Sequence, residues 1–299
     1  MAVWKKSPLH EQQVRLMMWT TPRSVSTAVT KCLSFVQDAQ VLCEPFTAAH
    51  HVGPDSNFDH TGDTAEAALR ETVPGVAETV GFDSSQCTYK WVKEQLEKAH
   101  TGKKFIFCKD MAYSVTGHFE FLPKDYKHLF LIRHPLKVFP SWKKVFQLNV
   151  GVPLDKYELD KLPEVLFPKN QGYKDMSDLM VYLKEADQEV IVIDTDDLLQ
   201  DPRGILLALF NVIGLPFEEN LLSWEAGNAI AQEWVISKEF LILNQEGHYY
   251  KTAFESKCFL KPSGMPNRAS LSADLIRCVD AAMPYYKKLY TQRLTPAES

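Results

Sequence analysis

Five short apolar runs punctuate the chain, at residues 14–19, 40–43, 105–109, 128–133 and 190–194. They are nearly continuous rather than alternating, the pattern of strands buried on both faces. Between them, apolar positions at helical spacing predict helices over 24–36, 85–99, 135–147, 175–186 and 202–213. Strands alternating with helices imply βαβ crossovers. The expected fold is α/β, a central parallel sheet flanked by helices. No linker-like stretch divides the chain, so a single domain over 1–299 is expected. The C-terminal third, 217–292, reads as helical with one Pro/Gly loop at 261–266. In such sheets ligands sit at the carboxyl ends of strands.

Composition narrows the partners. A net charge of −5 leaves no basic excess for nucleic acid, so any anion must be bound by local charge. The N-terminal residues contain lysines but no apolar signal region, and no run approaches membrane-spanning length. The cysteines, Cys32, Cys43, Cys87, Cys108, Cys258 and Cys278, show no C-x-x-C spacing, so neither zinc nor a disulfide framework is expected. These features point to a cytoplasmic protein with no membrane or nucleic-acid partner; the oligomeric state is not legible.

The first strand runs into Trp19-Thr-Thr-Pro-Arg-Ser-Val-Ser-Thr27, which opens the first helix. A helix N-terminus has unpaired N–H groups and the positive end of the macrodipole. Arg23 adds a permanent charge, and Ser24, Ser26 and Thr27 add hydroxyl donors. This loop suits a phosphate or sulfate; the plainer alternative is that Ser24 only caps the helix. A Gly-Lys-Ser/Thr ending is missing, and Val25 stands where a loop wrapping a β-phosphate usually has glycine, which disfavours an ordinary ATPase. A second copy of the pattern is His128-Leu-Phe-Leu-Ile-Arg-His-Pro-Leu-Lys-Val-Phe-Pro-Ser141. Pro135 suits a first helical turn, and Pro140 is expected to kink the helix. Arg133 and Ser141 either face one ligand, or are respectively paired with a carboxylate and solvated.

The first loop resembles the 5′-phosphosulfate loop of the P-loop sulfotransferase-like family, in the branch with an Arg-Ser-Val/Ile-Ser-Thr loop. Arg133-x-Pro-x-x-x-x-x-Ser141 matches that family's 3′-phosphate motif. Asp194-Thr-Asp-Asp-Leu-Leu-Gln-Asp-Pro-Arg203, leading to Gly-Leu-Pro-Phe217, is similar to the strand and helix flanking its adenosine. The resemblance covers residues 14 to 217. It implies a P-loop nucleotide-binding fold and the donor 3′-phosphoadenosine 5′-phosphosulfate (PAPS), released as 3′,5′-adenosine bisphosphate. The activity implied is sulfonate transfer to a hydroxyl or amine of a small acceptor, with no metal required.

By the same resemblance, Arg23 stabilises the leaving group, where relatives often have lysine, and the backbone around Val25 with Ser24, Ser26 and Thr27 holds the 5′-phosphosulfate. Arginine would act there through charge and hydrogen bonds alone. Arg133 and Ser141 would take the 3′-phosphate, with Lys257 reaching it from the C-terminal part. Thr195 falls at an adenine-contacting position usually occupied by tyrosine. Transfer also needs a group near the acceptor to take its proton. The Lys-Thr-His of cytosolic sulfotransferases is replaced here by Lys109-Asp110-Met111, whereas Cys43-Glu44-Pro45-Phe46 resembles the Glu-Pro context used in other branches. Glu44 is therefore the expected base and Asp110 the reserve, unless Glu44 is merely paired with Arg23 or Lys109. Lys109 either contacts the sulfonate or pairs with neighbours of Asp110.

Three further signals are read as structural. The run 190–194 with its aspartate suits a metal-binding NTPase strand or any buried strand. His50, His51, Asp55, Asp59 and His60 crowd one segment without metal-ligand spacing, which suits a loop near the acceptor. Phe139, Trp142 and Phe146 have core spacing. The acceptor pocket is expected among residues 46–80, 111–120 and 225–260. Two competing functions remain: a non-catalytic nucleotide-binding protein on the same fold, and a nucleotide kinase or NTPase.

Overall fold

The structure, a computed structural model, describes residues 13–58, 80–246 and 248–296. Along the chain lie β1 (Val14–Thr20), α1 (Ser26–Leu33), β2 (Ala39–Cys43), α2 (Pro45–His51), α3 (Tyr89–Glu97), β3 (Phe105–Met111), β4 (Lys127–Ile132), α4 (Pro135–Val150), α5 (Tyr173–Glu185) and β5 (Val190–Asp194). There follow α6 (Thr195–Gln200), α7 (Pro202–Ile213), α8 (Lys238–Glu246), α9 (Lys251–Glu255) and α10 (Ala273–Tyr290). The strands form one parallel sheet in the order β2-β3-β1-β4-β5.

All five expected strands are present, and the sheet is built as their unbroken apolar runs require. Leu16, Met17, Met18 and Trp19 of β1 are fully buried, and each such side chain contributes roughly 1.5–3 kcal/mol through burial. Register brings the carboxyl ends level: Thr20 lies beside Met111 and Leu131, Cys43 beside Lys109, and Ile132 beside Asp194. The chain leaves β1 toward β2 on one side and leaves β4 toward β5 on the other. The crevice at this reversal is where ligands of open α/β sheets bind, and Arg23 and Arg133 follow these two strands. No helix among the described residues is long and apolar enough to cross a membrane.

The departures from expectation are local. Helix α1 starts at Ser26, not residue 24, because Arg23 and Val25 take left-handed backbone conformations, with φ of 70° and 63°. Ser24 is not its cap, and the N-cap, Val25, makes no side-chain capping bond. Helix α3 begins only at Tyr89, where the Thr88 hydroxyl accepts from Trp91 N. Helix α4 remains one continuous helix through Pro140 and ends at Gly151, whose φ of 76° suits a glycine C-cap. The short helices α2 and α6 were not expected. The C-terminal third is less helical than read: residues 256–267 contain no helix, so the Pro/Gly loop is twice as wide as its composition suggests.

Candidate active site

The loop between β1 and α1 is fixed from three directions. Arg133 Nη1 donates to the Arg23 carbonyl at 2.9 Å, and the Thr195 hydroxyl donates to the Ser24 carbonyl at 2.9 Å. Gly172, at φ 80°, brings the start of α5 so close that an added Cβ would lie 3.1 Å from Thr21 Cβ. Next to it, the Tyr173 hydroxyl donates to the Arg133 carbonyl at 2.6 Å. A left-handed β-branched residue costs about 1–3 kcal/mol and persists only where its surroundings impose it. Val25 thus adopts the conformation for which its side chain seemed unsuited. The loop curls as a glycine-bearing one would, and no backbone acceptor is recorded among the described residues for the N–H groups of Ser26 and Thr27.

Arg23, Val25, Ser26, Thr27, Arg133 and Ser141 line one cleft of about 300 Å³. Arg23 Nε donates to Ser141 Oγ at 3.1 Å, and Arg23 Nη1 donates to the Tyr249 carbonyl at 2.8 Å. These are neutral partners. The nearby carboxylates are engaged elsewhere, Asp196 with Lys137 at 2.8 Å and Asp194 as the cap of α6. Among the described residues Arg133 makes no direct ion pair, although the charges of Asp196 and Asp194 still act on it, and Ser141 is bonded to Arg23 rather than merely solvated. Burial lowers the pKa of Arg23, and the neighbouring Arg133 charge lowers it further; burial also lowers that of Arg133. Two desolvated cations side by side, with Arg133 Nε buried and unbonded, form a site that a polyanion would relieve.

Three expected ligands, Thr195, Lys257 and Ser24, lie outside the cleft lining. Thr195 is fully buried and supports the Ser24 carbonyl instead of bordering the cleft. Lys257 is exposed and outside the lining; Lys261 and Ser263 border the cleft from the Pro/Gly loop, and Lys137 donates to the Ser263 carbonyl at 2.6 Å. Ser24 is buried, with its hydroxyl unbonded, and is not part of the lining. Of the cysteines, Cys258 is exposed at the cleft and the other five are buried; all are free thiols.

A second cavity of about 200 Å³ shares Arg23, Ser26, Thr27 and Tyr249 with the first. Thr47, His51, Val52, Met111, Tyr113 and Phe240 lie in the ranges expected for an acceptor pocket, whereas Trp142, Phe146, Val165 and Leu166 do not. Trp142 and Phe146, one and five positions beyond Ser141 on α4, wall this cavity as well as packing into the interior; Phe139 is core alone. The spacing Ser141–Trp142–Phe146 was the available signal.

Glu44 and Lys109 also line this cavity, joined in a buried ion pair. Burial pulls the Lys109 pKa down, but Glu44, with help from Cys43 and Asp110, outweighs it and holds the pKa above its ordinary value. The Tyr250 hydroxyl donates to Glu44 Oε1 at 2.8 Å. The pairing with Lys109 weighed from sequence is thus present, and Lys109 is occupied by Glu44 itself. Glu44, left-handed at φ 57°, is the N-cap of α2 without a side-chain capping bond. Asp110 caps α2 instead, accepting from Phe46 N at 2.6 Å and Thr47 N at 3.0 Å and from the Thr47 hydroxyl. Fully buried, it borders neither cavity, which removes it as the reserve base; burial, partly offset by these donors, pushes its pKa up to about 7.

Asp194 accepts from Asp196 N at 2.9 Å and from the Tyr286 hydroxyl at 3.0 Å, and burial raises its pKa to about 6. His50 and His51 contact Tyr89 and Tyr113, and no group of three His, Cys, Asp or Glu among the described residues could hold a metal. Asp59 and His60 lie outside the described residues.

These features define an α/β protein, a parallel sheet flanked by helices, with a cationic cleft and a second cavity adjoining it. Residues 183–293 match the family model described as the sulfotransferase domain. The chain is 26% identical over 210 residues to branched-chain-amino-acid aminotransferase-like protein 2 of Arabidopsis thaliana, covering 70% of this chain. It is 26% identical over 273 residues to protein 1 of that name from the same plant, covering 91% of this chain. It spans 31% and 40% of the lengths of these two relatives. A sulfotransferase domain from the olefin synthase of Synechococcus aligns at 18% identity and a TM-score of 0.44, over 92% of this chain and 96% of that one. The family match bears out the sulfotransferase-like resemblance. It reaches the C-terminal part, where no glycine-rich signature is recognisable.

Proposed function

We propose that the protein is a cytoplasmic, PAPS-dependent sulfotransferase, acting as one domain on a hydroxyl or amine of a small acceptor. The observation that carries this reading is the shared cleft of Arg23 and Arg133, opening beside Glu44 in the adjoining cavity. The unbonded Arg133 Nε, the free N–H groups of Ser26 and Thr27 and the left-handed Val25 suit a nucleotide with phosphate at both ends.

When bound, that nucleotide supplies an activated sulfonate on a phosphate leaving group. Arg133 and Ser141 would hold the 3′-phosphate, and the α1 N-terminus the 5′-phosphosulfate. Glu44 would take the acceptor's proton as the acceptor oxygen or nitrogen bonds to sulfur. Arg23, which borders both cavities, would stabilise the electron pair left on the phosphate oxygen as the S–O bond breaks. No step asks for a metal.

One observation favours a non-catalytic binder: Glu44 is already held by Lys109 and Tyr250. Calorimetry with 3′,5′-adenosine bisphosphate without magnesium, against ATP with magnesium, tests the donor site. Tight bisphosphate binding that Arg133→Ala weakens by about 10²-fold or more is expected, and a preference for magnesium-ATP would overturn it. Donor desulfation across a panel of alcohols, phenols and amines then separates enzyme from binder.

A further inference from the structure

Two groups converge on a single oxygen of Glu44. The Tyr250 hydroxyl donates to Oε1 at 2.8 Å, and the Lys109 ammonium binds the same atom. Among the described residues no partner is recorded for Oε2, and Glu44 borders the acceptor-type cavity. Its left-handed backbone leaves the side chain without a capping bond to α2, so tertiary partners alone fix its direction. Tyr250 is itself held: its ring meets Phe254 edge-on at 5.8 Å between centroids, with the Lys109 ammonium 5.9 Å from its own. The preceding residue, Tyr249, gives its carbonyl to Arg23. Consecutive residues thus hold one group on each side of the transfer.

We infer that Tyr250 is a positioning residue, gripping Glu44 through Oε1 so that Oε2 faces the acceptor's proton. This rests on Glu44 being the base proposed above. Tyr250 has the required persistence as a donor, because burial, aided by the nearby Cys43 and Glu44, pushes its phenol pKa far up. The other titratable groups facing Glu44 are Cys43 on β2, Cys108, Lys109 and Asp110 on β3, and Tyr113 in the turn after β3. Arg23 and His51 face it across the cavity.

Tyr250→Phe deletes the hydroxyl and keeps the ring. The loss should fall on kcat rather than KM, with kcat/KM down about tenfold while bisphosphate affinity stays within about twofold. In a Glu44→Gln background the same substitution should cost less than about twofold. An equal loss in both backgrounds would show Tyr250 to be packing only. Failure of bisphosphate binding would instead strike the donor reading.

Discussion

Arg133 Nη1 donates to the backbone carbonyl of Arg23 at 2.9 Å across 110 positions of sequence. One arginine therefore shapes the loop that carries the other, and their charges repel within a single cleft. Arg133→Ala should weaken bisphosphate binding by about 10²-fold or more, because a desolvated charged contact is lost together with the loop's support. Arg23→Ala should cost about 10²–10³ in kcat, the range for one group stabilising a developing oxyanion. Calorimetry and steady-state kinetics on both variants check the division; a larger kcat loss in Arg133→Ala than in Arg23→Ala would reverse the roles.

Glu44→Gln keeps the side chain's shape but cannot take a proton. A fall of about 10²-fold or more in kcat is expected, with bisphosphate affinity nearly unchanged because Glu44 lies outside the donor cleft. Undiminished turnover would exclude Glu44 as the base.

Asp110 makes stability depend on pH. Its folded pKa of about 7 lies above the ordinary carboxylate value, so the native state holds this proton more tightly than the unfolded chain. The associated stabilisation is complete below the unfolded pKa and is lost as pH rises through about 7. The stability of the wild type relative to Asp110→Asn should therefore decline between about pH 4 and pH 7. Urea unfolding across that range measures it, and a flat difference would contradict the assignment.

Val25→Gly tests the strained turn. A valine-to-glycine change ordinarily destabilises through the unfolded chain's entropy and lost packing. Here relief of the left-handed backbone should offset that loss to within about 1 kcal/mol. A destabilisation above about 2 kcal/mol in thermal unfolding would mean that Val25 is not strained.

How much was legible follows from the range of each interaction. Arg23, Arg133 and Ser141 belong to strand–loop–helix patterns whose geometry is local, so their convergence at the carboxyl ends of β1 and β4 could be anticipated. Glu44 was legible by its Glu-Pro context, but its environment was not: Tyr250 lies 206 positions away, and no spacing announces it. Lys257 was chosen over Lys261 because composition cannot say which lysine of an irregular segment faces inward.

By itself, the sequence determined the alternation of buried strands and amphipathic helices, because a run of apolar residues must be covered on both faces wherever it lies. It also determined which strand ends carry arginine. Only the tertiary structure decided between the two carboxylates: packing of α2 against β3 spends Asp110 on the free N–H groups of Phe46 and Thr47, while Glu44, the left-handed residue between β2 and α2, borders the cavity. Tertiary packing also imposed the left-handed backbone at Val25, against that residue's own preference.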